Sequence, residues 1–240
     1  MTESFLHKTD LSYLNENYKR ITDSISEAAI RSGRTPDDVT LMAVTKTVAP
    51  AEINYMLNLG VRLIGENKVQ ELLSKLEFLE TDRADIHIIG HLQSNKVRKI
   101  TDTVSMIQSV DSLSLIDEIS RQCILHNKTM EILLEVNIGE EEAKTGLPVS
   151  LLSECAHKAA ETEGIVLKGL MCVPPVCDEA EARRYFEKTR RLYEDTASAL
   201  HGKAELSVLS MGMSSDFVPA ILEGATLVRV GSALFGQRRY

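Results

Sequence analysis

Leu41-Met42-Ala43-Val44-Thr45-Lys46-Thr47-Val48-Ala49-Pro50 is the stretch that decides the fold. Leu41 to Val44 are apolar on both faces, as in a strand covered on both sides, and Pro50 marks a helix start. Lys46 therefore stands at the carboxyl end of the first strand. In open or barrel α/β folds ligands bind at that end. A lysine beside buried apolar residues is pushed toward its neutral, nucleophilic form, whose usual employment is a Schiff base with a carbonyl compound. The plainer alternative is a lysine whose stem packs while its head reaches water.

Working outward, short apolar runs and helical patterns alternate about eight times. The runs are Thr40–Val44, Arg62–Ile64, Ile86–Ile89, Met106–Val110, Glu131–Val136, Ile165–Leu170, Leu206–Leu209 and Leu227–Val230. Between them lie helical patterns at Ala51–Leu59, Val69–Leu79, Leu113–His126, Val149–Thr162, Glu179–Leu200 and Phe217–Glu223, with Ser112 and Asp178 at N-cap positions. An amphipathic helix over Leu11–Arg31 precedes the alternation. Doubly covered strands separated by helices imply a parallel sheet with right-handed crossovers, and eight units favour a closed (β/α)₈ barrel over a doubly wound sheet. No linker or charge block divides the sequence, so residues 1–240 read as one domain.

Composition narrows the function. The chain has 240 residues, 43% hydrophobic and 26% charged, with a net charge of −8, which argues against a nucleic-acid or anionic-membrane surface. The start carries no apolar stretch and no later run is long enough to span a bilayer, so the expected location is the cytoplasm. Cys123, Cys155, Cys172 and Cys177 follow no paired metal spacing and read as reduced structural residues. Phosphate-loop, dinucleotide, HExxH and GxSxG signatures are absent, which ranks metal and nucleophilic-serine chemistry low.

The unusual residues fall on one rim: Lys46, Asn67, the segment His91-Leu92-Gln93-Ser94-Asn95-Lys96, Asp111, Asn137, Cys172, Ser210-Met211-Gly212-Met213-Ser214 and Gly231-Ser232 each follow a strand. Barrels often hold phosphate on the loops after strands seven and eight, and the small residues there let the backbone approach an anion. A tight ligand-free turn is the alternative for either loop. Together with Lys46 they suggest an aldehyde and a phosphate on one molecule, a description that pyridoxal 5′-phosphate (PLP) answers. Arg229 would assist the phosphate, face the pyridine nitrogen, or pair on the rim with Asp216 or Glu223. Facing the nitrogen, it would leave the ring unprotonated and a weak electron sink. Lys96, Arg98 and Lys99 read as a solvated helix face, and Lys144 is a second rim amine.

The runs Ala43-Val44-Thr45-Lys46-Thr47, Ile64-Gly65-Glu66-Asn67, His87 to Lys96, Leu209 to Ser214 and Val228 to Gly236 resemble the YggS/PROSC pyridoxal phosphate homeostasis proteins over nearly the whole chain. The resemblance implies a barrel like the N-terminal domain of alanine racemase, with PLP in Schiff-base linkage to Lys46. It further implies that Ser210, Met211, Gly231 and Ser232 surround the phosphate and that Arg229 faces the ring nitrogen; from their place on the rim, His91 and Asn67 would lie against the ring or its hydroxyl, or be satisfied polar rim residues. The sequence ends at Tyr240, directly after the eighth unit, leaving no room for the racemase's β-domain. Racemisation in that enzyme needs a second base, a tyrosine, and no tyrosine here obviously supplies it, Tyr240 on the rim being the exception left open. The expectation is thus a non-catalytic, cytoplasmic, monomeric protein that buffers and delivers PLP, with apo PLP-enzymes as candidate recipients. A weak racemase-like PLP enzyme is the alternative, and a barrel for another phosphate ester is a third.

Overall fold

The computed structural model describes residues 11–141 and 144–237. Eight parallel strands close into a barrel in chain order: β1 (Thr40–Val44), β2 (Leu63–Glu66), β3 (Asp85–Ile88), β4 (Met106–Val110), β5 (Met130–Val136), β6 (Ile165–Cys172), β7 (Val208–Ser210) and β8 (Leu227–Val230). Closure joins β1 to β8 with Met42 opposite Arg229. Helices α1 (Tyr13–Arg31), α2 (Pro50–Leu59), α3 (Val69–Lys75), α4 (Leu113–Leu125), α5 (Leu152–Glu161), α6 (Glu179–Ala199), α7 (Phe217–Leu222) and α8 (Ser232–Phe235) belong to the same run of elements. The expected caps form: Ser112 Oγ accepts from the Leu115 amide and Asp178 Oδ1 from the Glu181 amide. Between β3 and β4 the crossover is a short 3₁₀ segment, Ser94–Lys99, and the predicted cationic face is that of this tighter turn.

Strand alternation divides the core. Ala43, Ile64, Ile107 and Val228 join the large cluster beneath the helices, whereas Met42, Leu63 and Leu227 cluster separately inside the barrel, as do Met106, Leu133 and Met171. Three strands run further at their carboxyl ends than the apolar runs predict, and each extension moves a polar or loop-assigned residue into the sheet. β2 continues through Gly65 and Glu66, paired with His87 and Ile88. A methyl at Gly65 would stand 2.5 Å from Met42 Sδ, so the hydrogen side chain lets the interior fill there. β6 continues to Cys172 past a register shift. At Gly169, φ is +151° and an added Cβ would meet the Val208 carbonyl oxygen at 1.8 Å, so only glycine keeps β6 against β7. β7 ends on Ser210, whose side chain is buried.

Outside the β8–β1 seam, α1 buries Leu14, Ile21, Ile25, Ala28 and Ala29, much as its stripe predicts. Its polar edge fixes α8: Asn17 Nδ2 donates to the Leu234 carbonyl and Arg20 to that of Ala233. The helix α8 itself is therefore held from outside the barrel. Cys123, Cys155 and Cys172 are buried free thiols and Cys177 is half-buried.

Candidate functional site

Because side chains alternate along a strand, Met42, Val44 and Lys46 share a direction, toward the barrel axis and then its mouth. Lys46 is half-buried and lies on the wall between two hollows. The inner cavity, about 530 Å³, is lined by Lys46, Asn67, Glu135, Lys144, Arg229, Ser214, Gly231 and Ser232 among others. That volume suits a small-molecule ligand. The outer groove, about 860 Å³, shares Val44, Lys46, Gly231 and Ser232 and is flanked by Tyr13, Glu52 and Phe235.

Arg229 does not form the rim ion pair. It sits 3% exposed, donating through Nη1 to Ser210 Oγ at 2.6 Å and through Nη2 to the Cys172 carbonyl at 2.7 Å. Glu223 pairs instead with Arg183, and the Asp216 carboxylate accepts the Met213 amide. Ser210 Oγ donates to Gln108 Oε1 at 2.7 Å, and Gln108 Nε2 meets His87 Nδ1 at 2.9 Å. Four strands thus contribute one buried polar chain across the barrel. Burial lowers the Arg229 pKa, and the same cause pushes His87 down to about 4. Since guanidinium does not deprotonate in proteins, Arg229 remains a buried cation whose hydrogen-bond acceptors are both neutral. The carboxylates of Glu135 and Asp216 offset part of the cost of this buried charge, and an anion in the cavity would add to that compensation.

Lys46, Asn67, Arg229, Gly231 and Ser232 of the expected residues meet in the inner cavity. Ser210 and Met211 lie fully buried behind it, the first in the polar chain and the second with its amide donating to the Leu227 carbonyl. In their place Met213, Ser214 and Ser215 line the cavity. The Ser214 hydroxyl oxygen accepts the amides of Gly231 at 3.1 Å and Ala233 at 3.2 Å, the two donors an incoming anion would use. Asn67 Oδ1 is buried and has no hydrogen-bond partner among the described residues, so it awaits a donor.

Glu135 was not foreseen. It ends the inward row of β5, Oε1 accepts from Thr145 Oγ1 at 3.1 Å, Oε2 has no partner among the described residues, and burial pushes its carboxyl up. Its signal was the acid at 135 inside an apolar strand run, where a charge is rarely left without purpose. Lys144 also reaches the cavity while ion-paired with Glu141. His91 is mostly exposed and meets Asp111 at 3.1 Å. No tyrosine among the described residues lines the inner cavity, and Tyr240 lies outside the described residues. No cluster of three or more metal-ligating side chains occurs among the described residues, and none of their helices is long and apolar enough to cross a membrane.

The family profile described as alanine racemase, N-terminal domain, matches residues 10–239. A pyridoxal phosphate homeostasis protein of Aquifex aeolicus is 39% identical over 226 residues, 94% of this chain and 98% of its own. An unknown protein from Bifidobacterium adolescentis has a solved structure that superposes with TM-score 0.88 at 36% identity, covering 94% of this chain and 95% of that one. PipY of Synechococcus elongatus, solved with PLP bound, superposes with TM-score 0.78 at 32% identity, covering 88% of this chain and all of PipY (100%). On a closed eight-stranded barrel with a strand-end lysine at its mouth and near full-length identity of this order, the chain belongs to the pyridoxal phosphate homeostasis protein family, with an alanine racemase N-terminal fold.

Proposed function

We propose that this protein binds pyridoxal 5′-phosphate at Lys46 and serves intracellular PLP homeostasis by holding, buffering and delivering the cofactor. The observation that carries the reading is the inner cavity itself, which joins a strand-end lysine to a buried arginine hydrogen-bonded only to neutral acceptors and to an Asn67 oxygen with no partner among the described residues. When bound, PLP supplies an aldehyde carbon that a neutral lysine amine captures with loss of water. Lys46 is the amine. Gly231 and Ser232, with the Ser214 loop, take the phosphate; Ser210 and Met211 support that loop and Arg229 from behind. Asn67 accepts from the ring hydroxyl, and Arg229 presents to the ring a cation with no proton to surrender.

The same cavity supports holding rather than turnover. Moving a proton on and off both faces of a substrate needs two acid/base groups, and of the described tyrosines none lines the cavity. We therefore assign no catalytic residue and read a single-domain, cytoplasmic, monomeric carrier with apo PLP-enzymes as recipients. A racemase-like activity is the competing reading, since Glu135 and Lys144 also line the cavity.

The test is the visible absorption of purified protein with PLP, before and after borohydride, with peptide mapping of the reduced product. A band that bleaches and leaves a pyridoxyl group on Lys46 supports the assignment; no band with added PLP overturns it. Lys46→Ala removes the band with near-native circular dichroism, because a residue at the rim lies outside the packed core. Sustained exchange of the alanine α-proton in deuterated water at enzyme-like rates would defeat the carrier reading.

A further inference from the structure

On the helix side of the sheet, outside both hollows, three charged side chains lie together behind Lys46. Strand alternation turns Glu66, the last residue of β2, away from the barrel axis toward α3. Lys75, the last residue of α3, donates to Glu66 Oε1 at 3.0 Å and to the Thr45 carbonyl at 2.8 Å. One helical turn earlier Glu71 pairs with Lys75 and accepts the Thr47 amide. Thr45 Oγ1 completes the set by donating to Glu66 Oε1 at 2.8 Å. The residues on each side of Lys46 are thus gripped by the same three charges.

Two facts say the grip is needed. Thr47 has φ of 63°, a left-handed conformation that costs a β-branched residue about 1–2 kcal/mol and persists only when its surroundings impose it. A buried ion cluster is also a poor way to gain stability, since apolar replacements are often neutral or better. Burial tends to raise the Glu71 carboxyl, yet Lys75 and the Thr47 amide hold it below its ordinary value, so it stays an acceptor. Burial raises Glu66, against the pull of Lys75. Lys75 is no spare nucleophile: it is 8% exposed, doubly ion-paired and lines neither hollow.

We propose that Glu71 and Lys75 are positioning residues for Lys46, fixing the peptides before and after it so that its amine meets a ligand aldehyde in the inner cavity. The proposal rests on the reading of Lys46 as the covalent attachment point. In that step the amine nitrogen bonds to the aldehyde carbon, and the two amine hydrogens leave with the aldehyde oxygen as water; nothing is oxidised or reduced. Presentation of the amine is the part the protein controls.

Two ligands separate presentation from general structure. Pyridoxal phosphate can form the linkage, followed by its visible band; pyridoxine phosphate has the same ring and phosphate with an alcohol in place of the aldehyde, and its binding is followed by calorimetry. Glu71→Ala is the main variant, because the Glu71 side chain is 22% exposed and its loss spares the buried pair of Lys75 and Glu66. We expect its dissociation constant for pyridoxal phosphate to rise about tenfold, the scale of one backbone hydrogen bond, and that for pyridoxine phosphate to stay within about twofold. Glu71→Gln, whose amide oxygen can still accept from Thr47, recovers most of the loss; Lys75→Met shows the same split between ligands more strongly. Equal weakening of both ligands, or no change in either, overturns the proposal while leaving Lys46 intact as the attachment point. A wild-type protein that forms no linkage overturns the Lys46 reading, and the proposal with it.

Discussion

Gly90→Ala should damage stability and ligand binding together, through a single methyl group. Gly90 follows β3, and an added Cβ would stand 2.5 Å from the Asn67 carbonyl oxygen and 2.8 Å from its Cα. Both obstacles are backbone, so neither can rotate aside. Restoring ordinary contact, about 3.4 Å, means separating the two loops by about 0.9 Å. The Ile89 amide to Glu66 carbonyl bond, 3.0 Å long, ties those loops together and would stretch to about 3.9 Å, beyond useful range. Overpacking at about 1–3 kcal/mol and the lost bond at about 1 kcal/mol sum to about 2–4 kcal/mol. For a chain of this size that is a Tm lowered by roughly 5–15 °C. Thermal denaturation beside a PLP titration reads both effects. Gly33→Ala is the control: its φ of +78° imposes strain, but nothing lies within 4 Å of an added Cβ, so Tm falls modestly and binding holds. An unchanged Tm in Gly90→Ala, or a lowered Tm with unchanged PLP affinity, would refute the idea that this contact sets Asn67 against the cavity.

Two further outcomes follow from the buried titratable groups. His87 has its folded pKa lowered from 6.5 to about 4, so between those values the unfolded chain takes up a proton that the folded chain refuses. Stability attributable to His87 is therefore complete above pH 6.5 and lost as pH falls toward 4, by about 3 kcal/mol; urea midpoints should decline over that window and His87→Leu should flatten the decline. Burial pushes the Cys172 thiol up to about 11, with Thr189 Oγ1 donating to its sulfur, whereas Cys177 is half-buried; native-state alkylation mapped by mass spectrometry should label Cys177 and spare Cys172.

How much of this was legible in the sequence depended on range. β1, β4 and β8 match their predicted runs residue for residue, because strands covered on both faces are bounded by apolar residues even where an inward position such as Gln108 or Arg229 is polar. Lys46 was legible too, standing just past such a run in step with Met42 and Val44. Polar strand ends were hidden: Glu66, Cys172 and Ser210 read as loop because nothing local shows that a partner strand will pair them. The chain His87–Gln108–Ser210–Arg229 was beyond local reading altogether, since its members come from four strands and meet only after the barrel closes. The positive φ of Thr47 was likewise hidden, because threonine gives no sign of it and the charges that impose it lie on the following helix.

The Ser214 hydroxyl gives the barrel a lodger of its own. By accepting the Gly231 and Ala233 amides, it keeps those donors satisfied when no anion is present, so arrival of a phosphate is an exchange of one oxygen for another. Across the cavity, Asn67 Oδ1 and Glu135 Oε2 have no such stand-in among the described residues. If the phosphate binds at these amides as proposed, its departure would leave them satisfied by Ser214, whereas the opposite side of the cavity would be left with open acceptors. A cavity with one end self-satisfied and the other open would favour repeated loading and unloading over permanent retention.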